Sequence, residues 1–261
     1  MIYRSDDQKT YNDLMASAQH NWGTVKKIGE LMLNVGKYFL GLPYIANTLE
    51  TGGEETLVIN LREFDCFTFV ENVVVLARQI REGKVTFEEY GAALEKIRYR
   101  KGALKGYPSR LHYFSDWLRD NKEKGIVKDV TAEIGGKPIL KEINFMTTHR
   151  ADYPGLDDDQ AYRKMGAVEK SLSGRTMYHI PKAELKQSEN AIIEDGDIIA
   201  AATSIEGLDV SHVGLAVSVR GRVHLLHASE AVKKVVISDD TLYLYLSKHK
   251  TMTGIMIGRV G

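Results

Sequence analysis

The chain contains little cysteine: Cys66 is the only one among 261 residues. One thiol cannot form an internal disulfide, and it cannot build a cysteine-rich zinc site. Only five prolines occur, which excludes a long polyproline linker. Without such a linker or an internal repeat, a chain of this length is predicted to fold as one domain around a large core.

Neither charge is in excess, since 35 basic residues balance 35 acidic ones. This balance argues against a large electrostatic surface for nucleic acid or anionic lipid. No apolar run approaches the roughly 18 residues that indicate a transmembrane helix. The polar first residues are not typical of a secretory signal peptide. We therefore expect no nucleic-acid partner and no membrane span, and the sequence predicts no obligate protein partner.

Helical and strand patterns occupy different parts of the chain. Apolar residues recur at spacings of three and four over residues 8–40 and again from Cys66 to about Ile80, which predicts helices. Short β-type runs separated by turns follow one another in residues 191–261. Helices followed by an antiparallel sheet predict an α+β fold.

Local signals predict element boundaries in the middle of the chain. Thr86 and Glu89 form a capping box that opens a helix. Ser109 is a candidate N-cap for the helix that follows it. The pair Gly135-Gly136, inside an alternating stretch, predicts a β-hairpin.

Cys66 lies where a helix is predicted to begin. Asp65 is a favourable N-cap residue, which places Cys66 in the first helical turn. Unpaired backbone N–H groups and the helix dipole favour an anion there. We therefore expect a lowered thiol pKa and part of an oxyanion hole. A buried, unreactive thiol is the competing interpretation.

A cysteine nucleophile needs a base, which is usually a histidine held by a third polar group. His212 opens a predicted strand whose same face carries the small residues Gly214 and Ala216, which leave room for a helix end or a substrate. The neighbouring strand carries His224 and His227 on opposite faces. The pattern alone does not choose between these two as the partner of His212.

Several segments occur in a characteristic order: LGLPYIANTLE, FDCFTFVE, DGDIIA, SHVGLAV and HLLHAS. In order and residue type they resemble the NlpC/p60 cysteine hydrolases. This resemblance implies a papain-like fold, in which a nucleophile helix packs on an antiparallel β-sheet, here with helical insertions. It also implies one catalytic domain over residues 1–261, with an N-terminal helical segment at 1–40, family-specific insertions at 85–190 and a β-sheet region at 191–261.

The resemblance assigns roles to individual residues. Cys66 matches the nucleophile, and His212 matches the base. His227 matches the orienting third residue, which selects it over His224. Tyr44 matches the tyrosine that lines the site near the oxyanion. No metal and no cofactor are implied.

Around the nucleophile the match includes one departure. Asp65 matches the Asp of the family's Asp-Cys pair, which helps to hold the peptide end of the substrate. Two further substrate-binding candidates are Thr68, in the segment FDCFTFVE, and Ser211, in the segment SHVGLAV. Many members have Ser after the cysteine, where this chain has Phe67. In peptidase members that Asp and Ser clamp a free L-alanine amine, so such a clamp is not expected here.

Two further segments, YPSRLHYFSDWL and INFMTTHRADYPGL, resemble the N-acetylmuramoyl-L-alanine amidase-like branch. The branch implies cleavage of the amide between N-acetylmuramic acid and L-alanine, in which the alanine nitrogen is acylated and a free-amine clamp would serve no purpose. Peptidoglycan fragments (muropeptides) are the implied partners. The implied location is the periplasm or cell envelope, with a signal peptide absent from the sequence.

Substrate carboxylates need cationic partners. Arg110 and Arg150 in these segments are candidates, because the guanidinium fork matches a carboxylate, and structural ion pairs are the alternative. His149 and Tyr153 are candidates for lining sugar or peptide subsites, with loop packing as the alternative.

Other functions stay open. A γ-D-glutamyl endopeptidase would act on the stem peptide, but the Ser that is missing beside Cys66 counts against it. A papain-like acyltransferase would pass the acyl group to an amine or alcohol instead of water. A cell-wall binding protein with an inactive site is disfavoured, because all three catalytic residue types are present.

Overall fold

The structure is a computed structural model that describes residues 1–83 and 86–261, with residues 187–191 described by their backbone alone. Residue 85, the first of the predicted insertions, lies outside the described residues. The helices are α1 Ser5–Asn21, α2 Ile28–Tyr38, α3 Cys66–Glu82, α4 Phe87–Arg98, α5 Phe114–Glu123, α6 Phe145–Thr148, α7 Asp159–Ser173, α8 Lys182–Ile192 and α9 Leu242–Lys248. The strands are β1 Val127–Asp129, β2 Lys137–Ile139, β3 Met177–Pro181, β4 Ile198–Thr203, β5 Val210–Val219, β6 Arg222–Ser229, β7 Lys234–Thr241 and β8 Met252–Val260.

The described strands form one eight-stranded sheet in the order β2-β3-β8-β4-β5-β6-β7, with β1 also paired to β8. Every strand pair is antiparallel. The predicted α+β class is therefore confirmed. Strands β1, β2 and β3 come from the segment predicted as insertions, so this segment widens the sheet as well as adding helices.

The sheet has a different apolar layer on each face. Val213, Leu215 and Val217 of β5 belong to the large cluster that also contains the buried faces of α1 to α5. Ala216 and Leu225 belong to a second cluster, which α8 and α9 complete. This alternation follows from the two-residue period of a strand. It places α3 on one face of β5 and α9 on the other.

Two local predictions are confirmed. Cys66 is the first residue of α3, and the hydroxyl of Thr86 accepts from the N–H of Glu89 at 3.2 Å while the Glu89 carboxylate returns to Thr86. Both signals depend on residues within one turn of each other. No helix among the described residues is long and apolar enough to cross a membrane.

Three other predictions are wrong. The helical stretch over 8–40 is interrupted between Asn21 and Ile28, although the apolar spacing continues because both helices bury one face. Ser109 lies in a 3₁₀ turn, where its hydroxyl donates to the Gly106 carbonyl at 2.6 Å, and α5 begins later. The Gly135-Gly136 stretch forms no hairpin, because β1 pairs with β8 and β2 pairs with β3.

Candidate active site

The first turn of α3 is fixed by a reciprocal cap. Asp65 Oδ1 accepts from the backbone N–H groups of Phe67 and Thr68 at 2.9 and 2.7 Å. In return, Thr68 Oγ1 accepts from the N–H of Asp65 at 3.0 Å. Asp65 and Thr68, both predicted to bind substrate, are therefore used in building the helix terminus. The N–H of Cys66 is not taken by this cap.

Buried polar groups hold α3 from beneath. The Asn72 side chain donates to the Thr68 carbonyl at 2.6 Å and accepts from the Tyr90 hydroxyl. Glu71 pairs with Arg98 at 2.7 Å, and both side chains are at most 2% exposed. Because buried polar groups are costly to leave unpaired, this network fixes the register of the helix and the position of Cys66.

The sulfur of Cys66 lies beside the start of β5. The backbone N–H of Val213, the residue after His212, donates to the thiolate. The pairing of β5 with β6 ends at Leu215 and Leu226, so the first residues of β5 lie beyond this ladder. The nucleophile on one face of the sheet thereby comes next to the peptide group that follows the predicted base.

The prediction that the pKa of the Cys66 thiol is lowered is wrong. Burial raises the pKa of Cys66 to about 12, and the carboxylate of Asp65 adds to the rise. The N–H groups of Cys66, Phe67 and Val213 oppose it, as expected of a helix N-terminus, but desolvation is larger. At neutral pH the Cys66 thiol of the folded protein is therefore protonated.

His212 and His227 form a direct pair. His212 Nε2 lies 2.6 Å from His227 Nδ1, and the two rings are nearly perpendicular, with centroids 4.8 Å apart. A side chain at Gly214 would place its Cβ only 2.8 Å from the Cβ of His227. The room predicted for a helix end or substrate is therefore filled by His227. His224 lies elsewhere, with Nδ1 2.8 Å from the Ser238 carbonyl.

Both imidazoles of the pair are held neutral. Burial lowers the pKa of His212 to about 3, with smaller contributions from His227 and His249. Burial also lowers the pKa of His227 to about 4, and His249 adds to this. Two neutral imidazoles in hydrogen-bond contact share a single proton between the facing nitrogens. One ring must therefore donate and the other accept.

Tyr245 and His249 complete this cluster, and sequence reasoning missed both. The Tyr245 ring meets that of His227 edge to face at 5.4 Å and lies 6.0 Å from that of His212. His249 packs on Tyr245 at 4.6 Å. Tyr245 lies in α9 and His249 is the C-cap of the same helix, but nothing in their spacing reveals that they cover the imidazole pair.

Tyr44 lies near the nucleophile, close enough for its phenol to interact with the charge of Cys66. Its backbone N–H donates to the Lys233 carbonyl at 3.0 Å, and Tyr44 forms a bridge with Phe64, two residues before Cys66. Burial raises the pKa of the Tyr44 phenol, as do the charges of Cys66, Glu230 and Asp65 in that order. The hydroxyl is therefore a proton donor at neutral pH.

A cleft of about 780 Å³ adjoins the imidazole pair. Ser211 lines it, at a point where the pairing of β4 and β5 is irregular, and the Ser211 hydroxyl is buried without a hydrogen-bond partner among the described residues. The charged side chains that line the cleft come from the β6–β7 connection and β7, and His249, at the C-cap of α9, lines it as well. The charged residues are Glu230, Lys234, Asp239 and Asp240. A larger cavity of about 1060 Å³ lies at the opposite end of α3, near Arg81.

Phe67 is directed into the core. Its ring meets Phe114 and Trp117 of α5 edge to face at 6.3 and 5.8 Å. Phe67, which stands where the resemblance leads us to expect Ser, is thus a packing contact with the segment predicted as an insertion. Its identity is tied to α5, and it offers no polar group to a substrate.

Arg110 lies in an ion-pair cluster. Its guanidinium contacts Glu50 at 2.6 Å and Glu55 at 3.3 Å, and its side chain is 7% exposed. Burial of this kind, with two carboxylates already present, leaves little reason to assign Arg110 a substrate carboxylate. The alternative given above, a structural ion pair, describes its surroundings.

His149, Arg150 and Tyr153 lie in the irregular segment after α6. Arg150 donates to the carbonyls of Leu156 and Asp157 and pairs with Asp159 at 2.8 Å. The exposed His149 stacks on Phe145 at 4.1 Å. Tyr153 is half-buried, which raises the pKa of its hydroxyl. The structure gives these three mainly local contacts and does not bring them to the sulfur.

No group of three or more His, Cys, Asp or Glu side chains is placed to hold a metal ion in the part of the chain that the structure describes.

A family model described as AmiA-like, N-acetylmuramoyl-L-alanine amidase-like, matches residues 34–255. The chain belongs to this family. The crystal structure of an N-acetylmuramoyl-L-alanine amidase from Bacteroides uniformis is similar to this amidase-like chain, with 38% identity and a TM-score of 0.87 over 90% of this chain and 100% of the other. The match includes α3 and β5, which carry the candidate site.

Two other solved structures are similar to this amidase-like chain. A protein from Bacteroides fragilis, described provisionally as a xylanase, has 38% identity and a TM-score of 0.84, over 87% of this chain and 100% of the other. A protein from Legionella pneumophila has 22% identity and a TM-score of 0.73, over 98% and 94% of the two chains, and shows likeness of fold alone. A comparison with curated protein sequences found no match.

Two substitutions at Asp65 separate its cap from its charge. Asp65→Asn keeps a good N-cap, so we expect the free energy of unfolding to change by less than about 0.5 kcal/mol, whereas Asp65→Ala loses about 1 kcal/mol. Because the carboxylate raises the thiol pKa, Asp65→Asn is expected to react faster with iodoacetamide at pH 8. Equal stability losses in both variants, measured by urea denaturation, would show that the cap is not the role of this residue.

Proposed function

We propose that this protein is a cysteine-dependent amidase of the papain-like NlpC/p60 type. It hydrolyses the amide between N-acetylmuramic acid and L-alanine in peptidoglycan or muropeptides. The observation that carries the proposal is the position of the Cys66 sulfur, at a helix N-terminus and beside the amide that follows His212, which is itself paired with His227. Family membership and the name of the Bacteroides uniformis relative support the choice of bond.

In the first step Cys66 attacks the lactyl carbonyl carbon of the muramic acid. His212 takes the thiol proton on Nδ1, because its Nε2 faces His227. A C–S bond forms, and the carbonyl electrons move onto oxygen. The Cys66 N–H, which the Asp65 cap leaves available, receives this oxyanion, and the Tyr44 hydroxyl assists.

In the second step the tetrahedral intermediate collapses. His212 returns its proton to the alanine nitrogen, the C–N bond breaks, and the stem peptide leaves with a free amine. The muramoyl group remains on Cys66 as a thioester. Water then attacks the thioester carbonyl while His212 accepts a proton, and the C–S bond breaks to release the muramic carboxylic acid and the thiol.

Burial of both groups shapes the resting state. A raised thiol pKa and a lowered imidazole pKa favour neutral Cys66 and neutral His212 over a preformed ion pair. Proton transfer then accompanies attack on the substrate. His227 Nδ1 accepts a hydrogen bond from the Nε2–H of His212, which leaves Nδ1 of His212 free to take the thiol proton.

A peptidoglycan substrate implies a location in the cell envelope. We include in the proposal a periplasmic or cell-envelope location and muropeptides as the partners. Phe67, turned into the core against α5, leaves no free-amine clamp next to Cys66. This suits a substrate in which the alanine nitrogen is acylated.

Product analysis in ¹⁸O water tests which bond is cut. The substrate is a defined disaccharide muropeptide, N-acetylglucosaminyl-N-acetylmuramoyl tetrapeptide, and the products are read by mass spectrometry. The proposal predicts free, unlabelled tetrapeptide and an intact disaccharide with one ¹⁸O in its lactyl carboxylate.

Other products would identify other activities. A disaccharide dipeptide with label in the glutamate carboxylate would mean a γ-D-glutamyl endopeptidase, and separated sugars would mean a glycosidase. An unlabelled acyl product carrying an added amine or alcohol would mean an acyltransferase. Each of these results contradicts the proposed bond or reaction while leaving the fold unchanged.

The pH dependence of kcat/KM distinguishes a neutral pair from an ion pair. With the pKa of His212 near 3 and that of Cys66 near 12, the reactive thiol and imidazole persist together over a wide range. We expect a plateau from about pH 5 to about pH 9. A preformed ion pair would instead lose activity as the imidazolium deprotonates within this range.

Stability must be followed in parallel, because the same shifts act on folding. The folded-state pKa values of His212 and His227 lie below 6.5, so the unfolded chain binds more protons once the pH falls below that value. The contribution of these two histidines to the free energy of unfolding is therefore fully present above about pH 6.5, and it is lost progressively toward pH 4. Circular dichroism at each pH separates this loss from an acid limb of the activity.

A further inference from the structure

We infer that Tyr245 is a positioning residue that selects the reactive tautomer of the His212–His227 pair. The inference rests on the proposed function, in which His212 Nδ1 must be free to accept the thiol proton. It concerns the aromatic face of Tyr245, on a helix that neither the fold prediction nor the family motifs connected with the site.

The pair has two neutral arrangements, and only one is reactive. If His212 Nε2–H donates to His227 Nδ1, then His212 Nδ1 carries a lone pair and His227 carries its proton on Nε2. If His227 Nδ1–H donates instead, His212 carries its proton on Nδ1 and cannot accept one from Cys66. The distance of 2.6 Å is the same for both. Something outside the pair must therefore favour the first arrangement.

The reactive arrangement requires an acceptor for the His227 Nε2–H. His227 lines the cleft beside the pair, but its side chain is only 2% exposed, so little of the ring is open to a water acceptor. The Tyr245 and His227 rings are perpendicular, at 80° and 5.4 Å, an arrangement in which one ring directs its edge at the face of the other. We assign the face to Tyr245 and the edge to His227, so that the Tyr245 face accepts the Nε2–H. In the unreactive arrangement His227 Nε2 carries a lone pair, which the electron-rich face repels.

The position of the Tyr245 ring is fixed by further contacts, chiefly with His249. His249 packs against it at 4.6 Å, and His249 Nδ1 lies 2.7 Å from the Tyr245 carbonyl. Tyr245 also belongs, with Tyr243, to the apolar cluster beneath α9. Tyr243 therefore provides a matched control: the same ring on the same helix, packed on the same cluster.

The test reads the tautomer directly, by long-range ¹H–¹⁵N NMR of protein labelled with ¹⁵N-histidine at pH 7. Wild type, Tyr245→Phe and Tyr243→Leu are expected to show His212 protonated on Nε2 and His227 protonated on Nε2. Tyr245→Leu is expected to populate the opposite tautomers. This measurement needs no substrate, so it is decided independently of whether the protein is an amidase.

Kinetics and alkylation provide the second readout. We expect Tyr245→Leu to lower kcat and the rate of Cys66 alkylation by iodoacetamide about fivefold, the range of one weak hydrogen bond, with KM unchanged. Tyr245→Phe should keep both rates at pH 7, because it keeps the ring. The hydroxyl that it removes is close enough to Cys66 for their charges to interact, but burial raises the pKa of Tyr245 to about 12, so the phenol is neutral at this pH. If Tyr245→Leu does not fold, Tyr245→Met fills a similar volume without an aromatic face and replaces it.

Three results would overturn the inference. One is a Tyr245→Leu protein whose histidine tautomers match those of wild type, whatever its activity. The second is a Tyr245→Phe protein that behaves like Tyr245→Leu, which would assign the effect to the hydroxyl. The third is a Tyr243→Leu protein whose tautomers change as they do in Tyr245→Leu, which would assign the effect to the packing of α9.

Discussion

Replacing Cys66 with alanine is expected to abolish turnover of a muropeptide, with kcat falling by a factor on the order of 10⁴ to 10⁶, as for removal of other enzyme nucleophiles. The other hydroxyl in the first turn of α3, that of Thr68, is engaged with Asp65 in the helix cap. The fold should persist, because the change removes one sulfur atom and leaves the Asp65 cap intact. We expect a stability loss of about 1 kcal/mol, measured by denaturation beside the activity assay.

Cys66→Ser is the matched control for this prediction. It keeps the size and a polar atom at the same position but replaces the thiol with a far weaker nucleophile. Both variants are expected to fold and to bind substrate. A Cys66→Ala protein that retained a tenth of wild-type turnover would contradict the proposed nucleophile.

Replacing His212 with glutamine is expected to lower kcat by a factor on the order of 10³ to 10⁴, because the general base is lost while the oxyanion contact remains. Glutamine is chosen because its amide can still donate to His227 Nδ1, which avoids leaving a buried acceptor unpaired. His224→Gln is the control: it makes the same change on the neighbouring strand, at a side chain directed to Ser238. The measurement is single-turnover release of the stem peptide.

His227→Ala is expected to retain more activity than His212→Gln, since it removes orientation and not the base. The opposite order would contradict the assigned roles, because it would make His227 the base. Equal losses in His224→Gln and His212→Gln would show that the assay reports on the stability of the sheet and not on the reaction.

The sequence predicts those parts of the site that are set by near neighbours. Asp65 and Thr68 lie within one helical turn of Cys66, so the cap and the start of α3 could be read from the chain. The place of His212 at the start of a strand follows from the short alternating run after it. The choice of His227 over His224 required the resemblance to a known family. In the structure, the neighbouring strands β5 and β6 bring His212 and His227 into contact at 2.6 Å.

Features that depend on distant segments could not be predicted in this way. The partners of Arg110 are Glu50 and Glu55, more than fifty positions earlier. Tyr245 reaches the imidazole pair only because α9 folds back over the sheet. No local pattern encodes such contacts.

The pKa of the Cys66 thiol could not be predicted either, because it also depends on distant segments. A helix N-terminus lowers it, and that effect is visible in the sequence. Desolvation by the segments that enclose Cys66 raises it by more, and burial is known only once the chain has folded. The Gly135-Gly136 signal failed for a related reason, because β8, far along the chain, is the partner of β1.

The most direct test of the central claim is to trap the acyl group on its way from Cys66 to water. The disaccharide muropeptide is incubated with wild-type protein in the presence of hydroxylamine, and the sugar products are weighed by mass spectrometry. The proposed mechanism predicts that free tetrapeptide appears together with a disaccharide whose lactyl group has become a hydroxamate, and that Cys66→Ala yields neither. Release of tetrapeptide accompanied by the carboxylate alone, however high the hydroxylamine concentration, would contradict a thioester intermediate.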